Sequence, residues 1–487
     1  MNRWLCLLVI LGLAMAGARA EELPDFGSPA DAIMNKSREG QLGRSVMLQL
    51  RNAGVVVDDP QLTEYVQSIG AQISSRANNG DYTFRFFVVD DPRINAFALP
   101  GGFIGVNTGL ILASESESEL AGVLAHEVSH VTQRHIARSL YDSQRTSIVS
   151  MAAMLAAVLL GAAADLPSDA LTGVVSASQA AVIQRQINFT RAHEYEADRV
   201  GMEVLASAGF DPSAMASFFE KLSKRYGLAR QGMPEILQTH PVTSARIAEA
   251  RSRARQLPAR RVEDSLSYGL AKARIEVLAA TTPRAALASI ESKPDPDSVA
   301  NRYGRALALI ELSRHDEAER EFRELSSEFP GVIAYRIGRA EALAASGVTE
   351  QALEVYADAI RLFPRNIPLT ISYAEALIDA GQPGEAHALL LDLLNNVPPT
   401  PAQIRLIARA ANAEGDTLNA YYYMGEYYVS IGNLMLAINQ LRMALELPDA
   451  HAVERARLNA RLEELVEYLP EEQRDEALRR RRSPSGG

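Results

Sequence analysis

His126-Glu127-Val128-Ser129-His130 places two imidazoles four residues apart, with a carboxylate beside the first. On a helix, residues at that spacing share a face, so both rings can grip one cation from one side. Glu127 then stands where it can take a proton from a water that the ion activates. The surrounding residues supply the helix. Leu120, Val123, Leu124, Val128 and Val131 mark an apolar face, and Ser116-Glu117-Ser118-Glu119 fits a capping box at its start. The pattern predicts a helix over about 117–139. On that periodicity His135 falls about half a turn out of phase with His126 and is expected at the surface, facing away from the ion. The competing reading is two solvated histidines on a charged helix face.

A site with two histidines needs a third protein ligand and leaves a fourth position to water. The stretch Phe189-Thr190-Arg191-Ala192-His193-Glu194-Tyr195-Glu196-Ala197-Asp198 is helical by pattern and runs to Gly209, a C-cap. Glu194 is the preferred ligand. Asp198 follows one turn later on the same face and can accept the free N–H of a ligating histidine, fixing its tautomer. His193 and Glu196 compete for the ligand role. They point about 100° and 200° away, so only one face can serve. A salt-laced surface helix is the remaining alternative.

Other elements must frame these two helices. Asp59-Pro60 opens a helix carrying Leu62, Tyr65, Val66 and Ile69, and residues 82–90 read as a strand. Asn95, Ala96 and Phe97 begin a short strand that a Pro100-Gly101-Gly102 turn joins to a second, Phe103 to Thr108. An exposed edge there can hold an extended peptide by backbone hydrogen bonds across the metal; the plainer reading is an ordinary hairpin. The glycine spacing fits no phosphate-binding loop.

The H-E-x-x-H segment, followed by Glu194-x-x-Ala197-Asp198, resembles the M48 family of zinc metallopeptidases. The resemblance covers roughly residues 40–255 and includes the Asn95-Ala96-Phe97 stretch. It implies one zinc per chain held by His126, His130 and Glu194, with Glu127 as general base. The chain departs from membrane-embedded members of that family, because it carries only one marginal apolar segment. That segment, Ile148 to Ala164, is short for a membrane span and reads as a buried or lid-like helix beside the site, with a peripheral membrane contact still compatible. Residues 165–178 read as a loop. Thr239-His240-Pro241 resembles the His-Pro segment near the end of soluble family members. Three readings of His240 stay open: stabilising the oxyanion, occupying the open metal position as a gate, or merely capping with Arg246 the helix from Thr243 onward.

The 487 residues are enough for two or three domains, and the net charge of −11 argues against a nucleic-acid partner. Residues 1–20 read as a cleavable secretory signal, with Arg3, an apolar run and Ala18-Arg19-Ala20. The only cysteine, Cys6, falls inside it. Beyond Pro258 an internal repeat sets in. Ala306/Ala318, Ala340/Ala352, Ala374/Ala386 and Ala408/Ala420 are pairs 12 apart that recur every 34 residues, with Pro330, Pro364 and Pro398 in step. Ala273/Ala285 precede them with a one-residue slip, and Gly425 and Ala437 mark a further pair. This is tetratricopeptide spacing, which stacks helix pairs into a solenoid with a concave binding face. Tyr421, Tyr422, Tyr423, Tyr427 and Tyr428 read as packing between repeat helices or as a partner surface. The highly charged end reads as a solvated tail.

The expected architecture is mainly α: a zincin-like metallopeptidase domain with a small β-sheet, then an α-solenoid of tetratricopeptide repeats. The expected limits are a signal at 1–20, the peptidase domain at 21–262, the repeats at 263–470 and the tail at 471–487. The order of parts is similar to M48 peptidases of Gram-negative envelopes. That resemblance implies a periplasmic endopeptidase with chaperone-like action in the quality control of outer-membrane β-barrel proteins. Unfolded or stalled barrel proteins would be its clients, and the barrel assembly machinery its partner through the repeats. The alternative is a chaperone or adaptor scaffold whose zinc site is largely silent.

Overall fold

The computed structural model describes residues 34–77, 82–143, 191–226, 235–258, 260, 262–448, 450–469 and 474. The expected signal, the apolar segment from Ile148, the loop after it and nearly all of the charged tail lie outside these residues.

The first part is built from α1 (Lys36–Asn52), α2 (Pro60–Ser74), β1 (Arg85–Val89), β2 (Ala96–Leu99), β3 (Phe103–Asn107), α3 (Thr108–Ala113) and α4 (Glu117–Thr132). Then come α5 (His135–Ser143), α6 (Arg191–Ser207), α7 (Ser213–Tyr226), α8 (Glu235–Thr239) and α9 (Ser244–Ala254). Asp59 starts α2 by accepting the Leu62 N–H at 2.9 Å, ahead of Pro60, whose missing N–H costs nothing there. The sheet has the order β1-β3-β2, with β1 parallel and β2 antiparallel to β3. Gly101 and Gly102 turn the β2–β3 chain at φ 79° and 87°, a conformation that side chains resist.

Helix α4 is the centre of this domain. Every residue from Glu117 to Val131 is buried, so the helix has no charged, solvated face at all. It packs on α6, α2, α7 and β2. The approach of α6 is closest at Gly201, where a Cβ would meet the Ala125 carbonyl oxygen at 3.0 Å and the His126 amide at 3.1 Å. The α6 carboxylates therefore arrive beside His126 because this position has no side chain. At its start Ser116 caps the Glu119 amide at 3.2 Å, while the Glu119 carboxylate takes the Glu115 N–H at 2.7 Å, one residue earlier than a regular capping box.

Two expectations fail at its far end. The helix stops at Thr132 and does not run on to 139. Arg134 adopts φ 55°, held there by its guanidinium on Glu39 and on the Met34 carbonyl. Helix α5 then starts afresh at His135, so the phase extrapolated from α4 no longer applies. His135 is fully buried and not a surface histidine.

The remainder is helical pairs: α10 (Leu266–Leu278) with α11 (Pro283–Glu291), α12 (Val299–Glu311) with α13 (His315–Glu328), and α14 (Ile333–Ala345) with α15 (Thr349–Leu362). They continue as α16 (Ile367–Asp379) with α17 (Pro383–Asn396), α18 (Pro401–Glu414) with α19 (Thr417–Ser430), and α20 (Leu434–Glu446) with α21 (Ala452–Glu467). The alanines of the 34-residue pattern are buried throughout. In the first pair Ala286, not Ala285, takes the buried place, because a longer turn shifts α11 by one residue. The tyrosines of α19 are half-buried against neighbouring repeat helices, with Arg457 stacked 4.4 Å above Tyr422.

The solenoid is seated on the part of the chain built around α4. Tyr268, Ala271 and Ile275 of α10 join the core around α4, while Leu270, Ala273 and Val277 join the first repeat core. Arg274 pairs with Asp59 at 2.6 Å, Tyr303 with Gln61 at 3.1 Å and Arg405 with Asp58 at 2.9 Å. These partners lie on first helices of the pairs, so that face is turned toward α2. A cavity of about 560 Å³ remains between them. In a smaller pocket that shares Arg274 with it, burial pushes the Glu341 carboxyl up to about 7, only partly offset by Arg274 and reinforced by Asp59, Glu375 and Glu311. A raised carboxyl favours the protonated native state, so this contribution is complete below the ordinary glutamate range and is lost as pH rises through 7. Glu341→Gln is expected to raise stability by about 2 kcal/mol at pH 8 and to leave it nearly unchanged at pH 4. Denaturant unfolding at the two pH values checks this.

Candidate metal centre

Four buried side chains converge under α4. His126, His130, Glu194 and His240 each offer a ligand atom, and these atoms all lie within 4.8 Å of one another. The two α4 histidines bring their Nε2 atoms 2.9 Å apart. Glu194 of α6 lies 3.6 Å from His126 Nε2 and 3.5 Å from His130 Nε2. His240, just past α8, brings Nδ1 to 3.0 Å from Glu194 and 3.3 Å from His126 Nε2. Its Nε2 lies 3.5 Å from Glu127. The His240 ring thus lies in the cluster, while the cap of α9 is Thr243, which accepts the Arg246 N–H at 3.2 Å.

The residues fit a divalent cation. Imidazole nitrogens that face each other at hydrogen-bond distance, with a carboxylate beside them, are a donor set for such an ion. Burial disfavours a charged His126, but Asp198 and Glu194 outweigh it and hold its pKa at about 10. Burial, with the His126 charge next, keeps the His130 pKa well below the usual range. The Glu194 carboxyl stays well below the carboxylate range, since His240 and His126 overcome its burial.

Asp198 Oδ1 lies 2.9 Å from His126 Nδ1, on the side away from the cluster. Arg246 forks onto Asp198 with two bonds of 2.7 Å and reaches Glu194 at 2.8 Å. Its guanidinium also lies 5.1 Å over the Phe219 ring. Sequence reasoning assigned Arg246 only a possible cap on α9; its bidentate hold on the second carboxylate depends on a fold that brings residues 48 apart together. His193 and Glu196, the competitors of Glu194, turn toward His135.

Glu127 is the odd member. It is 1% exposed, and neither carboxylate oxygen has a hydrogen-bond partner. Burial raises its pKa, against the pull of the neighbouring His240 and His126. A buried carboxylate left in this state is held ready for a proton that is not its own. Beside it runs β2, one of the two outer strands of the sheet. The Asn107 amide bonds the Asn95 carbonyl at 3.0 Å, and Phe97 pairs with Gly105. By antiparallel alternation Ala96 and Ala98 turn their N–H and C=O outward, away from β3.

A family model described as peptidase family M48 matches residues 60–254, and one described as a tetratricopeptide repeat matches residues 343–410. The beta-barrel assembly-enhancing protease of Escherichia coli K12 is 38% identical over 317 residues, covering 64% of each chain. A Vibrio cholerae protein bearing that name provisionally is 40% identical over 333 residues, 67% of this chain and 68% of its own. The mitochondrial metalloendopeptidase OMA1 of Arabidopsis thaliana is 33% identical over 218 residues, 44% of this chain and 41% of its own. Matches to the bacterial relatives thus span about two thirds of their length. Among solved structures, a tetratricopeptide repeat protein of Thermus thermophilus is similar at a TM-score of 0.26 and 24% identity, over 39% of this chain and 96% of that one.

Proposed function

The chain belongs to peptidase family M48, and on that premise we propose that it is a zinc endopeptidase of the bacterial periplasm that acts on outer-membrane β-barrel proteins. The observation that carries the reading is Glu127, buried and unsatisfied beside the ligand cluster. His126, His130 and Glu194 would hold the ion. When bound, zinc polarises the scissile carbonyl and makes water acidic enough to attack it. Glu127 takes the proton of the attacking water and delivers it to the departing amine nitrogen. Asp198 fixes His126 with its proton on Nδ1, leaving Nε2 for the ion. The substrate lies along β2, pairing with the outward backbone of Ala96 and Ala98, and burial of the site excludes bulk water.

His240 stands where a fourth ligand would. With Nδ1 on the cluster it keeps the site at rest, and an incoming peptide displaces it. The oxyanion role remains its alternative. The same geometry favours a second reading, a chaperone or adaptor scaffold whose metal site is largely silent. Relatives named for enhancing barrel assembly support a client of that class, stalled or unfolded barrel proteins, and the repeats would dock the assembly machinery. We take the peptidase domain as residues 21–262 and the repeats as 263–470, with α10 shared between their cores.

The test is proteolysis of an unfolded barrel protein by the full chain. A chelator is expected to abolish cleavage and stoichiometric zinc to restore it. Greater cleavage by His240→Ala makes that residue a gate, and weaker cleavage an oxyanion donor. A zinc-loaded chain and His240→Ala variant that both leave every barrel client intact would overturn the peptidase reading in favour of the scaffold.

A further inference from the structure

The two histidines of the H-E-x-x-H segment are supported in different ways. His126 meets a carboxylate directly, 2.9 Å from Asp198. His130 meets another imidazole: its Nδ1 lies 2.9 Å from His135 Nδ1. The far nitrogen of His135, Nε2, lies 3.1 Å from Glu196 Oε2, and Arg138 holds that same oxygen at 2.9 Å. The His193 ring stacks on His135 with centroids 4.4 Å apart and planes 14° apart. This chain of groups is assembled by the break after α4, where the left-handed Arg134 swings His135 back beneath His130.

Its proton order follows from chemistry. A neutral imidazole that offers Nε2 to a cation carries its proton on Nδ1. His130 Nδ1–H must therefore donate to His135 Nδ1, which must be the bare nitrogen. His135 then carries its proton on Nε2 and donates it to Glu196. Each group has one tautomer compatible with the next, and the carboxylate at the end sets them all.

We propose that His135 is a positioning residue for the metal centre, holding His130 in its Nε2-ligating tautomer through a His130–His135–Glu196 relay. Groups that orient ligating histidines typically change metal affinity about 10–100-fold when removed. The relay gives the second histidine a support equivalent to what Asp198 gives the first, with a neutral ring interposed. One helix, α6, thus supplies a ligand and the ends of both supports. This inference rests on the metal reading above.

The experiment measures zinc affinity of the full chain by competition with a chromogenic chelator, and the visible spectrum of the cobalt-loaded protein. Wild type is compared with His135→Phe, His135→Asn and Glu196→Ala. His135→Phe keeps a ring but no nitrogen and is expected to weaken zinc binding about 10–100-fold and to alter the cobalt spectrum. His135→Asn places an amide oxygen near the lost Nδ1 and is expected to recover most of that affinity. Glu196→Ala, at a half-buried position, is expected to weaken binding severalfold. His135→Phe binding zinc like wild type overturns the proposal, as does His135→Asn proving as weak as His135→Phe. Should His135→Phe not fold, unchanged affinity and spectrum in Glu196→Ala overturn it. A wild type that binds no zinc instead defeats the metal reading itself.

Discussion

Glu127→Gln is expected to lower the rate of peptide hydrolysis roughly 10²- to 10⁴-fold, the usual worth of a positioned general base, with zinc content unchanged. The substitution is nearly isosteric, and the side chain is buried with both oxygens unpartnered, so no native hydrogen bond is lost. The amide cannot accept the proton of the attacking water, which isolates the chemical step from binding. Stability of the metal-free chain should not fall, as unfolding curves would read directly: replacing a desolvated carboxyl by a neutral amide removes a burial cost. A variant that loses zinc along with activity would assign Glu127 to the ligand set rather than to proton transfer.

Arg246→Ala is expected to be the most destabilising single change in the peptidase domain. Its guanidinium is 3% exposed and pairs with Asp198 and Glu194, both buried. Removing one partner of a buried ion pair costs about 3–5 kcal/mol, because the carboxylates left behind keep their charge without compensation. For a domain of this size that corresponds to a fall in melting temperature on the order of 10 °C. Asp198 also loses the fork that aims it at His126, so zinc affinity should fall as well. Arg246→Lys keeps the charge but not the two parallel bonds, and should recover part of the stability and less of the affinity. Thermal melts and zinc titration of both variants check this; an Arg246→Ala chain as stable as wild type would contradict the ion-pair account.

The ligand cluster was legible because its spacing is local. His126 and His130 are fixed by one turn of helix, and Glu194 by a second short segment whose face is set by the same rule. The repeats were legible for a similar reason, since a 34-residue period of small residues survives any tertiary detail. What periodicity could not carry was the break after Thr132. Neither glycine nor proline marks it, and the left-handed turn at Arg134 is held through its guanidinium by the Met34 carbonyl and Glu39, 100 and 95 residues earlier. His135 was misplaced for that reason, and its contacts with His193 and Glu196 had no local signal. The placement of His240 was signalled by the resemblance of Thr239-His240-Pro241 to a family segment, whereas that of Arg246 depends on long-range packing that no single-segment pattern encodes.

The most direct test of the metal centre is a crystal of the full chain measured at the zinc absorption edge. The account predicts one anomalous peak per chain, within bonding distance of His126 Nε2, His130 Nε2 and the Glu194 carboxylate, with His240 Nδ1 or a solvent oxygen completing the site. A zinc-equilibrated crystal with no peak there, or with its peak on other residues, would contradict it.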